Sequence, residues 1–243
     1  MEIVQTNSNA MKIVNCNDEA ALYIDRKPTN NTIAYYKLEA DTKDYSWNNR
    51  DLTASNITFE NIWNISVAKF NYNSSTAYLD WTFISSITWN TPYTFWFWFK
   101  ANSLSWLPFV GRSGKNKYGE HDKEVTILST GALHVYNYSS AEHWFTTNAW
   151  LVSTWQRYCY VQTYDWTTLK AYLNNSLIGS VSPAPSYPYS SSWGWRFLLW
   201  KIYSNTNYWF NWYTSKLFIE NVGWSISDVD DYYNKTKRKF WLA

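Results

Sequence analysis

Three acidic residues alternate within Glu120-His121-Asp122-Lys123-Glu124. In an extended strand, residues two apart face the same side. Glu120 and Glu124 would then stand as nucleophile and acid/base across a glycosidic bond, with Asp122 between them. Their surroundings argue against that chemistry. His121 and Lys123 are polar or charged where a catalytic strand turns apolar residues inward, and the preceding stretch 111–120 is rich in Gly, Lys and Asn. Lys115, Lys117 and Lys123 are near enough in sequence to neutralise the acids on a solvated loop, and short motifs of this kind recur by chance. The chain therefore reads as no enzyme, with hydrolysis through Glu120, Asp122 and Glu124 as the alternative.

A second group suits binding. His134, Tyr136 and Tyr138 alternate along Ala132–Tyr138, and Trp144 follows shortly after. Rings and polar tips on one strand face can stack on and hydrogen-bond a sugar. The competing reading is that these residues pack the core, since any half-buried strand shows the same alternation. His121, His134 and His143 are scattered, and no nucleophile-elbow, Walker or dinucleotide-binding pattern occurs. Asp44, Asp51, Asp80 and Asp165 offer oxygen atoms, but each also suits a turn. Cys16 and Cys159 are too few for a disulfide framework and lack zinc-ligand spacing. No cofactor is expected.

The 243 residues suit one large all-β domain, and the net charge of +2 excludes a polybasic nucleic-acid binder. Its longest apolar run, Thr94–Phe99 (TFWFWF), is far short of the ~18 residues of a membrane helix. No apolar leader segment is visible at the start of the chain. The basic tail Lys235–Lys239 reads as a solubilising cluster that suits a helix C-terminus.

One ratio is abnormal: 18 Trp stand against 7 Gly, where a chain of this length ordinarily holds about 17 Gly. Several Trp follow Asp, Asn or Ser where strands should turn, as in Ser46-Trp47-Asn48, Asp80-Trp81-Thr82, Asp165-Trp166-Thr167 and Asn211-Trp212-Tyr213. Such turns need φ > 0, which Gly takes without strain and a bulky residue does not. The codon UGA specifies Gly in some bacterial lineages and their viruses and Trp in others, so decoding it with the wrong table would create this pattern. On this reading the encoded Gly are at Trp47, Trp63, Trp81, Trp89, Trp106, Trp150, Trp155, Trp166, Trp193, Trp195, Trp200, Trp209, Trp212 and Trp241. Trp98, Trp144 and Trp224 read as true tryptophans, and Trp96 is left open between the two. The competing reading keeps every Trp as an aromatic platform for sugars.

Eleven short strand-like runs, from Ile33–Leu38 to Tyr213–Ile219, are separated by Asn/Ser/Asp/Thr clusters, with no long amphipathic helix between them. That pattern predicts an antiparallel β-sandwich. Ser225-Ile226-Ser227-Asp228 matches a capping box and predicts one helix at the end, with Val229, Tyr232 and Tyr233 on one face. Residues 1–31 read as an extension or the end of an upstream segment, and 32–243 as the domain.

The order of Ala34–Leu38, the turn Asp44–Asn49, the strand Phe95–Lys100, the hairpin Tyr164–Asn175 and the late strand Phe210–Asn221 before Trp224-Ser225 resembles the concanavalin A-like lectin/glucanase superfamily. Its laminin-G-like jelly-roll domains are the nearest likeness, once Trp166 and Trp212 are read as Gly. The resemblance covers roughly residues 32–236. It implies an antiparallel jelly-roll β-sandwich and calcium as the usual metal. It also relates Glu120, Asp122 and Glu124 to the catalytic strand of laminarinase-type hydrolases. The function expected is a carbohydrate-binding or adhesive module of a bacterial surface protein or a phage tail or receptor-binding structure. Its partner would be a glycan or cell-surface polysaccharide, without nucleic acid or membrane insertion, with a larger assembly as one setting. Its place would be extracellular, at the cell surface or on a virion.

Overall fold

The computed structural model describes residues 27–62, 65–70, 77–84, 92–104, 107–110, 123–138, 142–182, 195–199 and 212–241. Among them the strands, in chain order, are β1 Thr32–Tyr36, β2 Thr53–Ser55, β3 Ile57–Ile62, β4 Ile65–Phe70, β5 Tyr78–Ile84, β6 Tyr93–Ala101, β7 Leu107–Val110 and β8 Lys123–Ile127. They continue as β9 Leu133–Tyr138, β10 Glu142–Thr146, β11 Arg157–Tyr164, β12 Leu169–Leu173, β13 Ser176–Val181, β14 Trp195–Leu199 and β15 Trp212–Glu220, and the helix α1 Ile226–Trp241 closes the chain. The first 26 residues of the expected extension, and Cys16 with them, lie outside the described residues.

The strands form two antiparallel sheets. The first runs β13-β12-β11-β6-β15-β4-β3, with β1 also on β15, and the second runs β10-β9-β8-β7-β14-β5-β2. This is the expected all-β antiparallel sandwich with one C-terminal helix. β1 and β4 share one side of β15 by dividing its length. Trp212–Thr214 pair with Phe70–Ala68, and Leu217–Glu220 pair with β1. The register slips between Ser215 and Phe218, where Lys216 takes φ 53°.

The run TFWFWF is explained by its place. β6 is central in the first sheet and covered on both faces, so it reads as continuous apolar sequence rather than alternating polar and apolar residues. Phe95, Phe97 and Phe99 face the other sheet with Tyr158, Tyr160, Val125, Ile127, Leu133 and Val135. Trp96 and Trp98 face outward and meet α1 through Val229, Tyr232 and Phe240, joined by Cys159, Val161 and Phe218. Trp96 stacks on Phe218 at 5.1 Å between centroids, and Trp98 on Phe240 at 4.3 Å. Each such buried ring contributes about 2–3 kcal/mol. Cys159 is buried and free, and burial pushes its thiol well up, so it acts as a packing residue.

The helix starts where its capping box predicts. Asp228 Oδ2 accepts from the Ser225 N–H at 2.8 Å, and Ser225 Oγ accepts from the Asp228 N–H at 3.3 Å. Val229 and Tyr232 are buried and Tyr233 half-buried, so all three face the sheet. Lys235 pairs with Asp231 one turn back at 2.7 Å.

Three expected turn glycines are corrected, the first at Ser46-Trp47-Asn48, where the left-handed residue is Asn49 (φ 53°) and not Trp47. Asp80-Trp81-Thr82 lies within β5, paired with β14 on one side, rather than at a hairpin tip. Trp212 begins β15, is fully buried and stacks on Phe99 at 5.5 Å, so it fills core volume that a glycine would leave empty. The turn at Asp165-Trp166 is as expected. Asp165 Oδ1 accepts from the N–H groups of Thr167 and Thr168 at 3.1 and 2.9 Å and from Thr167 Oγ1 at 2.7 Å. Burial works to raise the Asp165 pKa, but these bonds, with that from Lys170, outweigh it and hold the carboxyl down to about 2.

Candidate functional site

β8, β9 and β10 form a meander at one edge of the second sheet. Its inward residues Val125, Ile127, Leu133 and Val135 are all fully buried. The opposite parity therefore looks outward, away from the sandwich core. His134 on β9 and Trp144 on β10 sit there, half-buried and 52% exposed respectively. Their rings are 5.3 Å apart and tilted by 41°. His134 Nδ1 lies 2.9 Å from Thr146 Oγ1, its register partner, so one ring nitrogen is tied down and the ring plane is set.

Both strands are well anchored. Leu133 N–H donates to Thr147 Oγ1 at 2.9 Å, and Thr147 N–H donates to Leu133 O at 2.9 Å. Between Trp144 and Thr146, Phe145 turns the other way and packs against the inter-sheet core. It lies over Gly179 of β13 in the first sheet, where a Cβ would come within 2.3 Å of the ring. That close approach needs glycine. It joins the edges of the two sheets and so turns Trp144 toward solvent.

Of the four residues expected to bind, the structure brings His134 and Trp144 into contact. Tyr136 and Tyr138 share the parity of His134 on β9, and Tyr136 is in register with Trp144 on one side and Glu124 on the other. The acidic motif is only partly described: Glu124 belongs to β8, whereas Glu120 and Asp122 lie outside the described residues. Thr146 and Phe145 escaped the sequence reading because Glu142–Thr146 was not taken as a strand, although its own alternation of Trp144 and Thr146 against Phe145 held the signal.

The turn aspartates have local work. Asp44 accepts from the N–H groups of Tyr35, Ser46 and Arg50, at 3.0, 2.9 and 3.0 Å. Asp51 accepts from the Asp44 N–H at 2.8 Å. Among the described residues no group of three or more His, Cys, Asp or Glu is placed to hold a metal ion. An indole face beside a fixed imidazole, on a wide strand surface, can stack on a sugar ring and hydrogen-bond its hydroxyls.

No protein-family model matches the chain, and no curated protein matches it. Its fold resembles those of solved toxin domains. The binding domain of Paraclostridial Mosquitocidal Protein 1 superposes with a TM-score of 0.66 at 14% identity, over 84% of this chain and 52% of that one. A structure of botulinum neurotoxin type C, whose cell entry depends on interaction with two ganglioside molecules, superposes at 0.65 with 13% identity, over 84% and 51%. The binding domain of botulinum neurotoxin DC in complex with SialylT gives 0.65 and 13% over the same shares. The chain thus spans about half the length of the domains it resembles. At this identity the likeness establishes the fold alone: an antiparallel β-sandwich of the kind seen in those toxin domains.

Proposed function

We propose that this chain is a non-catalytic recognition module of the concanavalin A-like, laminin-G-like jelly-roll type. It binds a glycan on the outward face of β9 and β10. The observation that carries this reading is the His134–Trp144 pair: a half-exposed indole held beside an oriented imidazole on a strand face. The ganglioside and SialylT partners of the similar toxin domains add support for a saccharide ligand. The module comprises residues 32–243, and residues 1–31 are an extension or the end of an upstream segment. It works outside the cell, on a bacterial surface protein or a phage tail or receptor-binding structure.

The test is a glycan array carrying ganglioside oligosaccharides and bacterial surface polysaccharides, probed with the folded chain and with Trp144→Ala. Binding that falls at least tenfold in the variant supports the reading. A folded chain silent across the array, or binding that Trp144→Ala leaves unchanged, overturns it. Incubation of the chain with mixed-linkage β-glucans checks the absence of hydrolysis, and sugar release that Glu124→Gln abolishes would restore the enzyme reading.

A further inference from the structure

Among the described residues nine that are not glycine hold φ between 49° and 77°. Four are Asn49, Asn56, Asn174 and Asn175, and asparagine tolerates this region because its short side chain bonds locally. Asn174 and Asn175 are the two central residues of the β12–β13 hairpin, which needs both φ angles positive. Leu38 and Lys216 are fully buried beside the bulge of β15, where the Lys216 N–H donates to Lys37 O at 3.0 Å. The remaining three are Trp150, Trp155 and Trp166, at φ 66°, 69° and 77°.

These three differ from the tryptophans that pack. Trp96, Trp98 and Trp224 are buried, and their rings lie against Phe218, Phe240 and Tyr232. Trp150, Trp155 and Trp166 are 82%, 66% and 55% exposed. Among the described residues the Trp155 ring takes a surface contact from Lys100 Nζ, 4.8 Å from its centroid. What these positions supply is backbone geometry. The Trp150 N–H donates to Thr130 O at 2.8 Å, the Trp155 N–H donates to Ala101 O at 2.7 Å, and Trp166 follows the Asp165 cap. Gly131, at φ 76° on the loop that Trp150 bonds, meets the same demand with the residue suited to it.

We infer that UGA codons specify positions 150, 155 and 166 and are decoded as glycine in the organism that makes this protein. The three most strained exposed indoles are then absent from the native surface, and Trp144, on a strand face, remains with Trp47 and Tyr45 as the exposed aromatics of the described residues. The inference sharpens the proposed site by removing competing platforms, but its decoding step does not depend on glycan binding.

The experiment reads the three codons and maps peptides of the protein isolated from its own organism. UGA codons with glycine in the peptides, beside UGG at Trp144, are expected. UGG at any of the three, UGA at Trp144, or tryptophan in those peptides overturns the inference. An independent readout is the triple variant Trp150→Gly, Trp155→Gly, Trp166→Gly, for which relief of three left-handed positions should raise Tm by roughly 5–10 °C. A fall in Tm counts against it. Silence on the glycan array would sink the binding proposal and leave the codon result standing.

Discussion

Trp98 and Trp144 both occupy outward-facing strand positions, yet one is 1% exposed and the other 52%. Trp98 lies on β6, where α1 folds back across the sheet and lays Phe240 and Tyr233 against the indole at 4.3 and 6.0 Å. Trp144 lies on β10, at the edge of the second sheet, with His134 beside it. The same residue type on the same kind of strand face is core in one region and candidate binding surface in the other. What separates them is whether a distant segment covers the face, not anything in the strand itself.

The comparison can be broken by mutation. Trp98→Ala should cost ~3–5 kcal/mol of stability in urea denaturation, because it opens a cavity between sheet and helix. A cost below ~1 kcal/mol would mean that α1 does not seal this face. Gly179→Ala should cost ~1–3 kcal/mol, since the new methyl drives into the Phe145 ring. Changed near-UV dichroism of Trp144 would show the disturbance reaching the open face. Trp144→Ala should move stability by less than ~0.5 kcal/mol while weakening glycan binding at least tenfold, which is ~1.4 kcal/mol. A large stability loss there would make Trp144 a packing residue.

The smallest effect concerns Asp165. Its folded pKa, about 2, lies below the ordinary carboxylate value. Its contribution is therefore complete above the unfolded pKa near 4 and is lost as pH falls through 2. The group is partly exposed and screened, so the loss should be under ~1 kcal/mol. Thermal unfolding of the parent chain and Asp165→Asn between pH 5 and pH 2 should converge as pH falls, and curves that stay parallel would refute the assignment.

Much of the architecture was legible in short stretches. Alternation and turn clusters marked Arg157–Tyr164 and Leu169–Leu173 with the boundaries they have in the structure, and the capping box placed the start of α1. The strands that escaped have specific reasons. β7 contains Pro108, which cannot donate to a ladder, and β13 is half exposed, with no fully buried residue and Gly179 in its middle. Trp212 shows the converse failure: its Asn-Trp context mimics a turn, yet it is core because β6 and β4 flank it.

From sequence alone, local periodicity determined the antiparallel sandwich and the capping box the closing helix, because alternation and capping are encoded within a few residues. Only the tertiary structure decided that α1 covers the β6–β11 face while, among the described residues, Trp144 and Thr146 on β10 stay exposed. That outcome rests on contacts between segments far apart in the chain, such as Phe240 on Trp98 and Phe145 over Gly179. It also rests on volume that no stretch of sequence measures. The sign of φ at Trp150, Trp155 and Trp166 lies between the two, since turn residues hinted at it and the hydrogen bonds of the folded loops required it.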